Sequence, residues 1–487
     1  MRYPGSCALL LLLGGCAAVG PDYAAPPKIE MAAEWSNSAD PAFLPTGQSI
    51  KNWWTLFNDP LLNELIDAAS KNNLDVRVAL ASVAEARAQL GIINGDKAPV
   101  VGIGADAVRG DGLDPGGSID TRYTTGLDAT WEIDLFGQIR REVEAATADY
   151  QATEEQLNDV MITLYAEVAR TYLTIRALQA SLVAATGNIE SQKQVLDLTR
   201  KRFKHGLSTD LDVAQAKRTL ALSEAKVPPL KINLSEAINT ISVLIGQAPG
   251  KLNKRLENIQ PVPLPEGPIT VGVPSTLLRQ RPDIRKAERQ LAAQVARIGI
   301  AKGELYPKLS LNGTFNFSAT DAGALFSGNN SGFSFGPSLR WNIFQGGKVR
   351  NLIKAEDART LQALFIYERT VLNALNEAEN AMTAYLEQQV QFEAQKRALS
   401  AAKRSHELAT SLYKQGLSDF QNVLDAQTAL FDTENQVAGA RGQTAVNLVA
   451  IYKSIGGGWD PNVPFESQID LETATEKFIK PLTKEKK

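Results

Sequence analysis

The amino-acid sequence predicts a mainly α-helical fold with two pairs of β-strands, built from two copies of one large unit. Three observations predict this fold: an internal repeat at a fixed offset, two very long segments with a seven-residue apolar period, and four short segments in which apolar and polar residues alternate. Each copy has the order helix, strand, strand, very long helix, helix. The net charge of −3 provides no basic surface for nucleic acid.

The internal repeat keeps an offset of 210 residues over more than 100 positions. The residues that return at this offset include Trp131, Ile133, Gly137, Arg140, Val213, Leu220 and Gly246, which return as Trp341, Ile343, Gly347, Arg350, Val423, Leu430 and Gly456. Upstream the offset is 208, as in Asp75 and Asp283, so a two-residue insertion or deletion separates the blocks. A period this long is not that of a solenoid and indicates duplication of a large unit.

Alternation of apolar and polar residues predicts two strands in each copy. The apolar positions are Leu309, Leu311, Phe315 and Phe317, then Phe333, Phe335, Leu339, Trp341 and Ile343 in the second copy, and Val101, Ile103, Ala105, then Tyr123, Leu127, Trp131 and Ile133 in the first. A period of two puts apolar side chains on one face. Two interpretations stay open: hairpins that pack one face on a soluble core, or lipid-facing strands, since about 9–11 tilted residues span a bilayer.

Apolar residues in steps of seven predict the very long helices. In the first copy they are Met161, Val168, Ile175, Leu182, Ile189, Leu196 and Phe203. This pattern predicts a helix from Gln138 to Lys204, on the order of 100 Å long at 1.5 Å per residue. The second copy repeats the frame, with His406 in one apolar position. A sustained seven-residue period is typical of coiled-coil packing.

Each long helix is predicted to end in a tight turn that leads into a returning helix. Gly206 and Gly416 supply the left-handed position after the last helical residue. Ser208 and Ser418 are expected to cap the next helices, and Ser418 followed by Gln421 fits a capping box. The chain should therefore form two helical hairpins, whose turns lie at the far end of two long rods.

The N-terminus has the features of a lipoprotein signal peptide. A basic residue, Arg2, precedes a short apolar run and small residues, which is typical of a secretory signal. The run from Leu13 to Cys16 resembles the bacterial lipobox, in which the cysteine becomes the first mature residue and carries lipid. Cys16 is therefore the predicted lipidation site, whereas a leftover signal-peptide cysteine fits Cys7 better. Ala17 after the cysteine resembles lipoproteins sent on to the outer membrane.

Composition and the repeat divide the chain into five segments. They are a signal peptide (1–15), a proline-rich extended tether after the lipidated cysteine (16–55), a first structural repeat (56–265), a second structural repeat (266–460) and a disordered C-terminal tail (461–487).

The sequence offers no catalytic constellation. Its two histidines, His205 and His406, lie far apart and do not match across the repeat. The sequence has no phosphate loop, dinucleotide fingerprint or metal-ligand spacing. We therefore expect that the protein is not an enzyme and that it holds no cofactor and no metal ion.

Motifs along nearly the whole chain resemble the TolC/OprM-like outer-membrane factor family, in particular its lipoprotein branch in drug efflux. These motifs are Val19-Gly20-Pro21-Asp22-Tyr23, the run from Trp54 to Leu62, the run from Trp131 to Gly137, Arg281-Pro282-Asp283-Ile284, Tyr306-Pro307, Leu424-Asp425-Ala426-Gln427 and Gly456-Gly457-Gly458-Trp459. The resemblance implies a mainly α fold with a β-barrel part. Each chain would supply four transmembrane strands to the twelve-stranded barrel of a homotrimer, and the long helices would form a periplasmic α-barrel.

The resemblance also implies a function and partners. The protein would be the passive exit duct of a tripartite efflux system in the outer membrane, passing drugs or other small molecules to the exterior. Its partners would be a periplasmic adaptor (a membrane fusion protein), an inner-membrane pump of the RND type and outer-membrane lipid. Alternatives are a duct for type I protein secretion or metal efflux, or, in a different class, a non-conducting lipid-anchored coiled-coil scaffold. A periplasmic hydrolase lacks a nucleophile and base.

In the family, aspartates at the periplasmic tip ring the closed end of the tunnel, and the matching position here is Asp425. Gln421 stands where a hydrophobic gate residue can sit, and Thr428 stands where an arginine often follows. The resemblance therefore assigns the periplasmic gate to Asp425 and Gln421. Three carboxylates around a narrow axis would favour cations. Alternatively, Asp425 only complements the dipole of its helix.

Overall fold

The computed structural model describes residues 18–26, 28–44, 50–111 and 119–460. The predicted signal peptide, Cys16 and the predicted C-terminal tail lie outside the described residues. The elements are β1 (Phe43–Leu44), α1 (Pro60–Asn72), α2 (Leu74–Gly95), β2 (Val100–Asp111), β3 (Ile119–Ile133), α3 (Gln138–Lys204), α4 (Asp210–Leu244), α5 (Asn253–Leu256), β4 (Ile269–Thr270), α6 (Leu277–Gln280), α7 (Pro282–Gly303), β5 (Lys308–Ala319), β6 (Ser331–Arg340), α8 (Lys348–Lys414) and α9 (Phe420–Ser454).

The two copies share their main elements in the same order, a helix, two strands, a 67-residue helix and a 35-residue helix, which confirms the predicted fold class of a mainly helical chain with four main strands. Helices α3 and α8 have 67 residues each, and α4 and α9 have 35 residues each. Helix α3 has the bounds that the seven-residue period predicts. Helix α4 continues through Pro228 and Pro229. In the part of the chain that the structure describes, no helix combines the length and apolar composition needed to cross a bilayer.

Strands β2, β3, β5 and β6 form one antiparallel sheet in that order, so the two hairpins join through β3 and β5. The alternation predicts that the last strand extends to Ile343, but β6 ends at Arg340. Beyond it, the indole N–H of Trp341 donates a hydrogen bond to the backbone oxygen of Leu305, 3.0 Å away. That contact ties the end of β6 to the loop before β5.

Helix α3 lies at the centre of the helical body, where it packs against α2, α4, α7 and α9. Val168 and Ile175, two positions of the seven-residue period, are fully buried in the main core. Further along the same row Phe203 is 44% exposed. Leu196, one step before Phe203 in the row, is buried in the cluster near the turns, so the period fails to predict burial only at its last position.

The described residues 18–26 and 28–44 lie along the helical body, in the segment for which the sequence predicts an extended tether between anchor and body. The guanidinium of Arg141 is buried and donates hydrogen bonds to the Val19 backbone oxygen (2.9 Å) and to Asp22 Oδ1 (2.5 Å). Gly20 has a φ of +96°, and a Cβ there would come within 2.4 Å of the Gly299 Cα. Close backbone contact thus requires glycine at this point and fixes the segment against α7.

Candidate functional site at the helical hairpin turns

Both helical hairpins turn at a glycine with positive φ, which is +72° at Gly206 and +78° at Gly416. In the first turn, the backbone N–H of Leu207 donates to the Arg202 oxygen (2.9 Å), and the N–H of Gly206 donates to the Phe203 oxygen (3.0 Å). This pair of bonds is a Schellman motif, which satisfies the last carbonyl groups of the helix. The second turn has the equivalent two bonds.

The helix that follows the first turn is capped one residue later than predicted. The N-cap of α4 is Thr209, so the prediction that Ser208 is the cap is wrong. Thr209 Oγ1 accepts from the Asp212 backbone N–H (3.2 Å), and Asp212 accepts from the Thr209 N–H (2.9 Å), which makes a capping box. Ser208 donates to the same carboxylate (2.7 Å). Burial raises the pKa of Asp212, but these hydrogen bonds outweigh it and hold that pKa below its usual value.

The second turn also differs from the prediction, because the N-cap of α9 is Asp419 and not Ser418. The capping box predicted for Ser418 and Gln421 is therefore wrong. Ser418 Oγ accepts from the side chain of Asn422 (2.9 Å), and Gln421 Nε2 donates to Asp425 Oδ1 (2.7 Å). Gln421 thus bonds one turn forward along its own helix and does not reach back to the cap.

Asp425 lies on the exposed face of α9, one and a half turns after the helix begins. Its neighbours Val423 and Leu424 face inward and are buried against the other hairpin. Thr428 Oγ1 donates to the Leu424 backbone oxygen (2.9 Å), so its hydroxyl bonds within the helix. The structure therefore brings Gln421 and Asp425 together in one exposed hydrogen-bonded pair.

Arg202 joins the two hairpins, a contact that the sequence did not predict. Its guanidinium lies 4.6 Å from the centre of the Tyr413 ring and donates to the Tyr413 backbone oxygen (2.9 Å). Tyr413 is buried in a small apolar cluster of the tip that includes Phe420. The equivalent residues in the repeat are Leu412 and Phe203, so the pair exists once per chain. The sequence signal for the contact between Arg202 and Tyr413 is therefore that neither residue is kept at the equivalent position of the other copy.

Further from the turns, residues of α3, α8 and α9 line an open pocket of about 470 Å³. His406 Nδ1 and Gln427 Oε1 are buried without hydrogen-bond partners, and Gln427 Nε2 donates to Ser191 Oγ (3.1 Å). Burial lowers the pKa of His406 and raises that of Glu434, which lines the same pocket. In the described residues no cluster of His, Cys, Asp or Glu has the geometry of a metal site.

Residues 65–247 and 273–457 match the family described as outer membrane efflux protein. The chain is 31% identical to the solvent efflux pump outer membrane protein SrpC of Pseudomonas putida, over 92% of this chain and 97% of that protein. It is 30% identical to the cation efflux system protein CusC of Escherichia coli, again over 92% of this chain and 97% of that protein. Its fold resembles the outer-membrane channel OprN, with a TM-score of 0.86 and 36% identity over 91% of this chain and 99% of that one. These findings confirm the resemblance drawn from the motifs, and the chain belongs to the outer membrane efflux protein family.

Proposed function

We propose that this outer membrane efflux protein is the exit duct of a tripartite system and passes drugs or other small molecules passively to the exterior. The single observation that carries the proposal is the arrangement of the two copies. Each copy contributes a β-hairpin to one sheet and a 67-residue helix, α3 or α8. Helix α3 leads directly from the end of the sheet to the turns. A sheet in the membrane continued by long helices is the shape that a duct across the periplasm requires.

The open edges of the sheet support assembly into a homotrimer. Within the described residues, β2 and β6 each pair with a strand on one side only. Ile103 on β2 is 82% exposed and Phe333 on β6 is 84% exposed. Unpaired backbone groups are not tolerated in lipid, and four strands are too few to close a barrel. An assembly of two, three or four chains would have enough strands to close a barrel. The family resemblance favours three chains and therefore twelve strands.

Two tryptophans at equivalent positions support the placement of the sheet in a bilayer. The indole N–H of Trp131 donates to the Lys97 oxygen (2.9 Å), as that of Trp341 does to Leu305 (3.0 Å). Both rings lie at the end of the sheet that adjoins the helices, where aromatic residues mark the membrane–water interface. The predicted lipid on Cys16 would lie near this level, because Arg141 at the start of α3 holds Val19.

At the other end, the exposed pair of Gln421 and Asp425 supports a gate. In a trimer, three copies of this carboxylate around the axis would repel one another and make bound cations part of the closed state. The contact of Arg202 with Tyr413 would hold the two hairpins of each chain together in that state. A periplasmic adaptor and an inner-membrane pump of the RND type would open the tip and supply the energy.

Other substrates remain alternatives within the same class. SrpC is named for solvent efflux and CusC for cation efflux, and the chain is about equally similar to both. Type I protein secretion is a further alternative, and a non-conducting coiled-coil scaffold is the alternative from another class.

Single-channel recording from the purified full-length protein in planar bilayers tests the proposal. We expect discrete conductance from a trimer that resists heat in detergent. A folded, heat-resistant assembly without conductance would favour the scaffold. Co-purification of an adaptor and pump from the native membrane would identify the partners, and their class would distinguish small-molecule efflux from protein secretion.

A further inference from the structure

The open pocket lined by α3, α8 and α9, called here the hairpin pocket, has the size of a small-molecule site. Its volume of about 470 Å³ lies within the range of about 300–1,000 Å³ that is common for ligand pockets. The apolar part of its wall consists of Val183 of α3, Leu399 of α8, and Leu430 and Phe431 of α9. The apolar body of a small molecule would therefore find both room and contacts there.

Two polar atoms of the hairpin pocket can accept hydrogen bonds and have no donor. Gln427 is 2% exposed, and its Oε1 has no hydrogen-bond partner among the described residues. The Nδ1 atom of His406 is equally without a partner in the described part of the chain. Burial lowers the pKa of His406, so its ring is neutral at pH 7, and a neutral imidazole accepts at one nitrogen. Unpaired buried acceptors are unfavourable, so a ligand that donates to both atoms would be stabilised.

A carboxylate gives the hairpin pocket a negative charge. Glu434 lines the pocket, and burial raises the pKa of its carboxyl group more than the positive charge of Lys403 lowers it. The charges of the protein therefore compensate this carboxylate incompletely. A cation bound in the pocket would stabilise its ionised form.

Gly187 keeps the hairpin pocket open. It lies in the interior of α3, where glycine is less favourable than alanine. Apart from its own stretch of α3, no heavy atom of the described residues lies within 4 Å of the position that a Cβ would take, so packing does not require glycine. At the equivalent positions of the other copy, Gly187 is replaced by Arg397 and Gln427 by Lys217. The pocket is therefore not a by-product of the repeat.

We propose that the hairpin pocket binds a small organic amine in its ammonium form, with the N–H groups on Gln427 Oε1 and His406 Nδ1 and the charge near Glu434. An ammonium group has donors and no acceptor, which fits a site whose unpaired groups are acceptors. The apolar part of the ligand packs against Phe431 and the other apolar residues of the wall. This binding site goes beyond the proposed duct and does not depend on conduction.

Fluorescence titration of the purified full-length protein in detergent tests the proposal, with dansylcadaverine as the probe. This probe joins a primary amine to an apolar fluorescent ring, whose emission rises when the ring leaves water. We expect saturable binding. The N-pentyl amide of the same dansyl group lacks the amine and should bind about tenfold more weakly, because it cannot make the charge-assisted hydrogen bonds.

A side chain placed in the hairpin pocket should block it. We expect Gly187→Leu to abolish saturable binding of dansylcadaverine. Gly439→Leu is the matched control, because Gly439 lies in the interior of α9, does not line the pocket and also has space for a Cβ. It should bind the probe as the unchanged protein does.

Removal of the negative charge tests the chemical class of the ligand. Glu434→Gln should weaken binding of dansylcadaverine about tenfold and leave binding of the neutral amide unchanged. Glu224→Gln, at the equivalent position of copy one, is the control and should change neither. Equal affinity of the Glu434→Gln and unchanged proteins, or of the amine and the neutral amide, would overturn the ammonium assignment.

Circular dichroism shows which variants keep the helical fold. If Gly187→Leu does not fold, Gln427→Leu, which removes an acceptor and fills no space, takes its place and should weaken binding of the probe. Absence of saturable binding to the unchanged protein, or equal binding by a folded Gly187→Leu, would overturn the site. Binding and conductance are separate measurements, so failure of this site would leave the proposed duct in place, and a protein without conductance could still bind the probe.

Discussion

At one position near the tip the two copies differ in charge, because α9 has Asp425 where α4 has Gln215. Asp425 is exposed and bonded to Gln421 at 2.7 Å. A carboxylate that only complemented the helix dipole would lie in the first turn, since the effect falls off beyond it. Asp425 is the sixth residue of α9 and lies beyond the first turn. Its position therefore favours a role in contacts of the exposed face of α9, such as the proposed gate, over stabilisation of the helix dipole.

We expect Asp425→Ala to raise the basal conductance of the channel and to weaken its preference for cations, without changing the yield of trimer. Removal of three mutually repelling carboxylates removes the bound cations of the closed tip. Single-channel recording with asymmetric salt measures both quantities. Gln215→Ala is the matched control and should have a much smaller effect. Equal conductance and selectivity in the Asp425→Ala and unchanged channels would exclude the gate.

The environment of His406 makes the stability of the protein depend on pH. Burial lowers its pKa below 6.5, and this outweighs the opposite effect of Glu407. The native state therefore binds this proton less readily than the unfolded state. The stabilising contribution is full above pH 6.5 and is lost as the pH falls through the pKa of the folded protein.

We expect the melting temperature of the helical signal to fall less between pH 7.5 and pH 5.5 in His406→Leu than in the unchanged protein. Leucine suits an apolar position of the seven-residue period and cannot be protonated. Circular dichroism of the detergent-solubilised protein at the two pH values measures the difference. His205→Leu, at the exposed end of α3, is the control and should keep the fall of the unchanged protein.

At the scale of elements, the two hairpins have nearly the same length and the same glycine turn, but they differ in their caps and in the contact of Arg202. The first hairpin has a full capping box at Thr209, whereas Asp419 makes no side-chain cap bond. The second hairpin is instead held by Tyr413 against Arg202 of the first. The second turn is therefore the one whose position depends on the other hairpin.

We predict that Gly416→Val weakens docking of the adaptor more than it weakens assembly of the trimer. A β-branched residue at a φ of +78° costs about 1–2 kcal/mol, and the strain is confined to the turn. Co-purification of the adaptor and heat-resistant trimer yield measure the two effects. Asn at the same position tolerates this φ better and should retain docking. Loss of the trimer itself, with monomer as the main species, would contradict the prediction.

At the scale of the whole molecule, the lipid anchor and the sheet would hold the same end of the protein in the membrane. The buried guanidinium of Arg141 fixes residues 19–22 beside the base of the sheet. The sheet and the helical core are built from residues far from Cys16 in sequence. The fold should therefore form without the lipid.

We expect Cys16→Ser to lose lipid attachment and still to give a heat-resistant trimer in the outer-membrane fraction. Incorporation of labelled fatty acid measures the first effect, and gel mobility of unheated samples measures the second. Equal label in the Cys16→Ser and unchanged proteins would show that another residue carries the lipid.

The sequence alone determined the features that depend on local periodicity. The seven-residue apolar period and the glycine that follows it predicted the bounds of α3 from Gln138 to Lys204, and the repeated frame predicted a second long helix, which is α8. Helix propagation and the positive φ of the turn are properties of neighbouring residues, so a pattern in the sequence is enough to predict them.

Only the tertiary structure decided the features that join distant parts of the chain. The hydrogen bonds of Arg141 to residues 19–22, the stacking of Arg202 on Tyr413 and the polar contact of Glu155 with Arg285 each connect residues more than 100 positions apart. Such contacts depend on how whole helices pack, and a single arginine on a helix face has the same local pattern whether it meets water or a buried partner.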